Sequence, residues 1–393
     1  MRAADPIIIV GAGIGGLTAA LALARRDHQV TVLERRATPI EEGAGIQLSP
    51  NAGHVLNALG LEDAIGQRAI EPARIVVRTM RRNDPIGALP LGSAARRRYG
   101  ASYRVIHRAD LHAVLMAAVE RERSITLRLG HDVVGAEASS DEAVLSVRIG
   151  DARDETMTAS LAIGADGLWS AMRRAVGNGR EPRFQNYLAW RATLPIDNAP
   201  AALRGNEINL WLGPDAHVVH YPVSAGRRIN IVVIMRATEP VDGWSAPADG
   251  TMLAGRLVNA PALLYTLIAA APEWRAWSLY ELASPTSWWR GRLVLLGDAA
   301  HPVLPFLAQG GALAIEDAAV LAEKLSVSAD VDAALVAYER ARRPRAMRVA
   351  EAARRNGRIY HLAGPLAAAR DLAIGAAGQW LIRQYDWIFR WPN

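Results

Sequence analysis

The chain has 393 residues, of which 51% are hydrophobic and 21% charged, a balance that excludes a disordered chain, a fibre or a coiled coil. Its 45 basic and 39 acidic residues leave a net charge of +6, too small an excess over this length to point to nucleic acid. The absence of cysteine excludes a disulfide scaffold, a zinc ribbon, an Fe–S cluster, a thiol nucleophile and attachment of a flavin through sulfur.

At roughly 150 residues per domain, the length implies two to three domains. The N-terminus lacks the charged start and cleavage site of a signal peptide, so the expected location is cytoplasmic. Residues 7–24 carry no charge and reach nominal membrane-spanning length, but glycines at 11, 13, 15 and 16 interrupt them. A β-branched run before the glycines and an Ala/Leu run after them read as strand, turn and helix.

Taken in chain order, residues 6–10 form a strand, 14–26 a helix and 30–34 a second strand, a β-α-β start of about 30 residues. A short helix follows near 51–59, and 74–82 alternates like a strand. Residues 109–123 have helical spacing, with Asp110 near the start. Strands are expected at 125–129, 132–137, 143–149 and 156–163, then at 208–212, 217–222 and 229–235. Residues 237–247 read as a loop, two short helices precede 272, 293–296 is a short apolar strand, and the chain is mainly helical from Ala312. No repeat or low-complexity linker is evident.

The expected fold class is α/β (α+β): a Rossmann-like nucleotide-binding domain, an inserted and mostly antiparallel β-sheet domain for substrate, and a C-terminal helical segment. The first domain is drawn as 1–73, 100–182 and 276–330, the second as 74–99 and 183–275, and the helical segment as 331–393.

Gly11, Gly13 and Gly16 fit G-x-G-x-x-G between strand and helix, and Glu34 follows 23 residues after Gly11, near the expected spacing of roughly 20. In that motif the first glycine permits the tight turn, the second lets backbone approach a pyrophosphate, and the third lets helix pack on strand. The helix N-terminus offers N–H groups and the positive end of its dipole to phosphates. Glu34 can accept hydrogen bonds from ribose hydroxyls and would repel a 2′-phosphate. These residues point to NAD or FAD.

Two further segments separate those choices. One is residues 163–170, Ile-Gly-Ala-Asp-Gly-Leu-Trp-Ser, with Arg173 three residues on; the other is residues 296–302, Leu-Gly-Asp-Ala-Ala-His-Pro. With the glycine motif, and with stretches 43–51, 106–111, 308–312 and 315–318, the chain resembles the single-component FAD-dependent aromatic hydroxylases. The resemblance runs to the salicylate, 3-hydroxybenzoate and 6-hydroxynicotinate hydroxylase branch and covers nearly the whole chain. It implies FAD, NADH or NADPH as electron donor, O2 as co-substrate, and hydroxylation of a phenolic acid through a flavin C4a-hydroperoxide.

The resemblance also implies roles. Gly11, Gly13, Ile14, Gly15 and Gly16 cradle the dinucleotide. Glu34 holds the adenosine ribose with Arg35 beside it, Arg108 sits near the pyrophosphate and Val133 by the adenine. Gln47 joins the cofactor set. Asp298 binds the phosphate–ribityl region, or else caps a turn. Asp166 serves FAD and the nicotinamide cofactor, or caps the turn before a helix. Gly310, Gly311 and Ala312 pass backbone N–H groups to the flavin edge. At Asp27, relatives usually have glycine.

On the substrate side, His217 and Tyr221 stand four apart, so on a strand they share one face while His220 points the other way. Relatives with phenolic acid or hydroxypyridine substrates carry a His and a Tyr at this spacing. A histidine with an unperturbed pKa of about 6.5 suits a base for a ring hydroxyl, with Tyr221 orienting or relaying; the alternative is a satisfied sheet histidine. Pro305 and Phe306 make the flavin-side loop apolar where some relatives carry His or Gln. Arg191 meets a substrate carboxylate or forms a surface salt bridge. The expected partner is a small aromatic substrate, without nucleic acid, metal or stable membrane association, in a monomer or homodimer. Two rivals remain: a same-fold flavoenzyme oxidising a non-phenolic substrate, and a non-catalytic FAD-fold binding protein.

Overall fold

The computed structural model describes residues 6–38, 44–150, 153–177, 181–243, 245–257, 260–282 and 287–391. Gly43 of the 43–51 stretch and Trp244 of the 237–247 segment therefore lie outside the described residues. The chain forms two compact units, one of residues 1–41, 111–183 and 280–351, the other of 42–110, 184–279 and 352–393. These bounds differ from those drawn on sequence: residues 42–73 and 100–110 pack in the second unit, and the C-terminal stretch divides near residue 351.

The first unit is built on a six-stranded sheet in the order Trp289–Arg290, Leu293–Leu295, Leu161–Gly164, Ile7–Val10, Val30–Glu34 and Ile125–Leu129. All pairings are parallel except that of the Trp289–Arg290 edge. Ile7–Val10 is buried throughout, as a central parallel strand covered on both faces must be. The Ile14–Ala24 helix buries ten of its eleven residues, which explains its nearly uniform apolar composition. A Cβ on Gly15 would stand 3.1 Å from Ala314 Cβ, so the bare glycine lets this helix approach the Gly310–Val327 helix closely.

The strand expected at 156–163 is two strands. Arg153–Ala159 pairs antiparallel with Ala143–Ile149, whereas Leu161–Gly164 pairs parallel with Ile7–Val10. The break falls where a half-exposed alternating pattern turns fully buried. Asp27, where relatives usually have glycine, adopts φ +60°, a left-handed turn.

The second unit holds an eight-stranded sheet in the order Ser245–Ala248, Trp274–Glu281, Arg183–Pro195, Arg228–Arg236, Ala216–Val223, Ile208–Leu212, Arg74–Thr79 and Arg82–Pro90. It is mostly antiparallel, with a parallel pairing of Ile208–Leu212 and Arg74–Thr79. One face carries Trp190, Val218, Ile231 and Val233 into a core closed by Leu253, Leu264 and Leu267 of the Gly250–Arg256 and Ala262–Ala269 helices. By the two-residue alternation of strands, Arg191, His217, Tyr221 and Asn230 share the opposite face.

Elements that escaped the sequence reading include the antiparallel pair Gly45–Leu48 and Arg104–His107, the Gly92–Tyr99 helix, and the Ser245–Ala248 strand inside an expected loop. Each is short and takes its stability from partners distant in sequence. The C-terminal residues are fastened by Asp386, which accepts a 2.7 Å hydrogen bond from Tyr99 Oη and pairs with Arg98. Among the described residues, no helix is long and apolar enough to cross a membrane.

Candidate functional site

In the first unit, Gly11 adopts φ +104°, and a Cβ there would meet Ala165 O at 2.6 Å. A Cβ on Gly16 would stand 1.9 Å from Gly11 O, so neither position admits a side chain. Gly13 is different: nothing lies within 4 Å of where its Cβ would be, leaving the backbone open to an approaching ligand. Gly13 begins the Ile14–Ala24 helix without a side-chain cap, so its first N–H groups stay available to an anion.

Glu34 ends its strand beside this turn. Its Oε2 accepts from Ala12 N at 2.9 Å and its Oε1 from Arg36 N at 3.0 Å, which fixes the carboxylate at the rim of the glycine loop. Arg35 is exposed next to it. His112 Nε2 holds Ala12 O from the other side at 2.8 Å. Val133 is buried beside a register shift in the His131–Ala138 strand.

Asp166 caps a helix, as one of its two sequence readings held. Its Oδ2 accepts from Met172 N at 3.2 Å, and Ser170 Oγ accepts from Arg173 N at 2.9 Å. Its Oδ1 is buried with no partner, and burial pushes the carboxyl pKa up. Arg173, a residue the sequence reading noted without a role, donates to Ala299 O at 3.0 Å and to Leu168 O. It thereby ties the 163–170 motif to the 296–302 motif.

Asp298 is exposed on the Gly297–Ala299 turn, while the rest of that turn is locked from below. Asp317 Oδ2 accepts from Gly297 N at 3.0 Å and bonds His301 Nε2 at 2.5 Å; Arg342 Nε donates to Asp317 Oδ1 at 2.7 Å. His301 therefore supports the loop, packed at a tilt against Trp288 with 4.8 Å between ring centroids. The nearby cations hold the Asp317 carboxyl well below its usual range despite burial.

The Gly310–Val327 helix likewise starts without a side-chain cap, and its Gly310 and Gly311 are half-buried while Ala312 is buried. Ahead of it, Pro305 is half-buried and Phe306 buried on the Pro305–Leu307 turn. Two uncapped helix starts, an open Gly13, an anchored Glu34 and an orphaned Asp166 oxygen fit a dinucleotide with a pyrophosphate and hydroxyl-bearing chains.

The second unit gathers a different set. Gln47, assigned to the cofactor on sequence, stands here with two tyrosines: Tyr103 Oη donates to its Oε1 at 2.5 Å, and its side chain also bonds Tyr221. Burial raises the Tyr221 pKa, so the phenol stays protonated near neutrality. A Cβ on Gly45 would lie 2.5 Å from Tyr221 Cε2, so only glycine leaves room for this ring. Gly45 N donates to Asn230 Oδ1 at 2.6 Å, and Asn230 Nδ2 is buried without a partner. Arg108, at the start of the Arg108–Arg121 helix, donates its N–H to Ala44 O at 3.1 Å.

His217 is buried, and its Nδ1 bonds His361 Nε2 at 2.9 Å. Burial above all, with His361 beside it, holds its pKa well below 6.5, so the ring is neutral. His220 points to the other face, stacked on Trp211. Arg191 is no surface salt bridge: its guanidinium lies over the Trp277 ring at 5.1 Å, and its buried Nε has no partner. Burial, helped by Arg108, lowers its pKa to about 10, and among the described residues no carboxylate stands with the charges that act on it. His361, Asn230 and Tyr103 were missed because no local pattern marks them.

The FAD binding domain family matches residues 5–353. The chain is 35% identical to 3-hydroxybenzoate 6-hydroxylase 1 of Aquipseudomonas alcaligenes over 98% of this chain and 97% of that protein. It is 32% identical to 6-hydroxynicotinate 3-monooxygenase of Bordetella bronchiseptica, over 89% and 90% of the two chains. Among solved structures, R204Q HpxO of Klebsiella pneumoniae complexed with FAD superposes with a TM-score of 0.85 at 26% identity, covering 98% of each chain. The chain therefore belongs to the FAD-binding family, among its flavoprotein aromatic hydroxylases.

Proposed function

We propose that this monooxygenase hydroxylates a small aromatic acid bearing a ring hydroxyl, with NADH or NADPH as electron donor. One observation carries the substrate reading: Arg191, His217 and Tyr221 share a sheet face, and Arg191 brings to it a cation with an unpartnered Nε. The hydroxybenzoate and hydroxynicotinate named for two relatives have this combination of carboxylate and ring hydroxyl.

Bound FAD would supply the redox chemistry that couples nicotinamide oxidation to insertion of one oxygen atom of O2. In the first unit the glycine loop and the Ile14 helix start would take its pyrophosphate, Glu34 the ribose, and the N–H groups at 310–312 the flavin edge. In the second unit, Arg191 pairs with the substrate carboxylate. Tyr221 donates a hydrogen bond that orients the ring. Neutral His217 accepts the proton of the ring hydroxyl, because a phenolate is a far better nucleophile than a phenol.

The test is NADH and NADPH oxidation by the FAD-loaded protein across benzoates, phenols and hydroxypyridines, with peroxide measured alongside. A hydroxy acid that stimulates oxidation and yields an oxygenated product with little peroxide is the expected result. Stimulation by non-phenolic compounds alone would overturn this reading. His217→Ala should keep FAD yet divert oxidation towards peroxide; unchanged product yield would remove His217 from the role of base.

A further inference from the structure

We propose that His361 and Tyr187 extend His217 into a proton relay, which carries the ring-hydroxyl proton out of the site and returns one to the product. This rests on the reading of His217 as the base.

Three groups stand in series. His217 Nδ1 bonds His361 Nε2 at 2.9 Å, and His361 Nδ1 faces Tyr187 Oη at 3.5 Å, with the Tyr187 and His361 ring centroids 5.4 Å apart. Both histidines are buried, whereas Tyr187, near the start of the Arg183–Pro195 strand, is partly open. The series therefore runs from the sheet interior towards its edge.

Two neutral imidazoles joined nitrogen to nitrogen share one proton, so their tautomers are locked together. In one arrangement His217 Nδ1–H donates to His361 Nε2, and His361 Nδ1–H donates to Tyr187 Oη. His217 Nε2 is then the basic nitrogen. When that nitrogen takes the ring-hydroxyl proton, the Nδ1 proton passes to His361 Nε2 and the His361 Nδ1 proton passes to Tyr187 Oη. The Tyr187 hydroxyl proton leaves to water. Each imidazole ends neutral, and His217 now points an N–H at the phenolate. Reverse flow reprotonates the hydroxylated product and restores the first arrangement.

The surroundings favour passing a proton over storing one. His361 packs on His217, which also packs on Tyr360; His361 faces Arg236 and Arg370 and has Asp215 as the opposing charge. Burial and the two arginines lower its pKa to about 4, and His217 is held low as well. A charged imidazolium is thus disfavoured at both rings, which favours a transfer that leaves each ring neutral. Arg370 donates to Ile359 O and Tyr360 O at 3.2 and 2.9 Å, which fixes the backbone leading into His361.

The experiment uses FAD-loaded enzyme without nicotinamide and the probe 3-hydroxy-4-nitrobenzoate, whose phenolate is coloured. Stopped-flow mixing reads the rate of phenolate formation in water and in D2O. His361→Gln keeps a hydrogen-bonding side chain but cannot switch tautomers. It should slow phenolate formation by roughly tenfold or more and change the solvent isotope effect, with FAD content and probe affinity retained. Tyr187→Phe, at a less buried position, should slow the same step. Rates and isotope effects matching the parent enzyme in both variants would overturn the relay. His217→Gln separates the two ideas. If it slows phenolate formation while His361→Gln and Tyr187→Phe do not, the base stands and the relay falls; if it has no effect, the base reading itself falls.

Discussion

Replacing Arg191 by Gln should make the ligand-free protein more stable and its hold on acids weaker. A guanidinium whose pKa falls from its ordinary value to about 10 on folding carries about 3 kcal/mol against its charged form. The side chain keeps some access to water, so a net penalty of about 2 kcal/mol is the better figure. The folded-state pKa is the depressed one, so the penalty is fully present at neutral pH and fades only as pH rises past about 10. Glutamine removes it and loses part of the stacking on Trp277, worth about 1 kcal/mol, leaving a gain of about 1 kcal/mol. The same change deletes a charge-assisted bond to carboxylate, costing about 1.5–3 kcal/mol, or roughly 10- to 150-fold in affinity. Denaturant unfolding measures the first effect. Titration of the flavin spectrum with 3-hydroxybenzoate and with neutral 3-hydroxybenzyl alcohol measures the second. Only the acid should weaken. Equal loss for both ligands, or a fall in stability, would mean that Arg191 is a packing residue, and the reasoning would fail.

Gly45→Ala places a methyl group 2.5 Å from the Tyr221 ring, so the ring must shift, at about 1–3 kcal/mol. FAD content should hold while the yield of oxygenated product per NAD(P)H falls; an unchanged yield would show that the position of Tyr221 does not matter. Asp27→Gly relieves a left-handed turn and should stabilise the protein by about 1 kcal/mol in denaturant unfolding without altering activity, and no gain would show the turn to be unstrained.

What the sequence determined by itself is the part of the protein that is local. The strand–glycine–helix start is legible because its residues are contiguous: Gly11 turns at φ +104°, Gly16 answers to a clash with Gly11 O five residues back, and Glu34 reaches Ala12 across one β-α-β unit. The shared face of His217 and Tyr221 follows from strand alternation alone. Arg173 and the 296–302 motif could be noted, but not that Arg173 joins the two loops, since its partner Ala299 lies 126 residues away.

Tertiary structure alone decided the rest. The chain changes sheets at residue 160 because Arg153–Ala159 pairs with the neighbouring Ala143–Ile149 whereas Leu161–Gly164 pairs with Ile7–Val10, far away in the chain. The bonds of Gln47 to Tyr103 and Tyr221 arise because the Gly45–Leu48 strand pairs with Arg104–His107. His361 meets His217 across 144 residues. The state of Arg191 is set by burial, and burial belongs to the packed chain: the same arginine on an open strand would be an ordinary solvated cation, and only the fold takes most of its water away and, among the described residues, gives it no carboxylate in exchange.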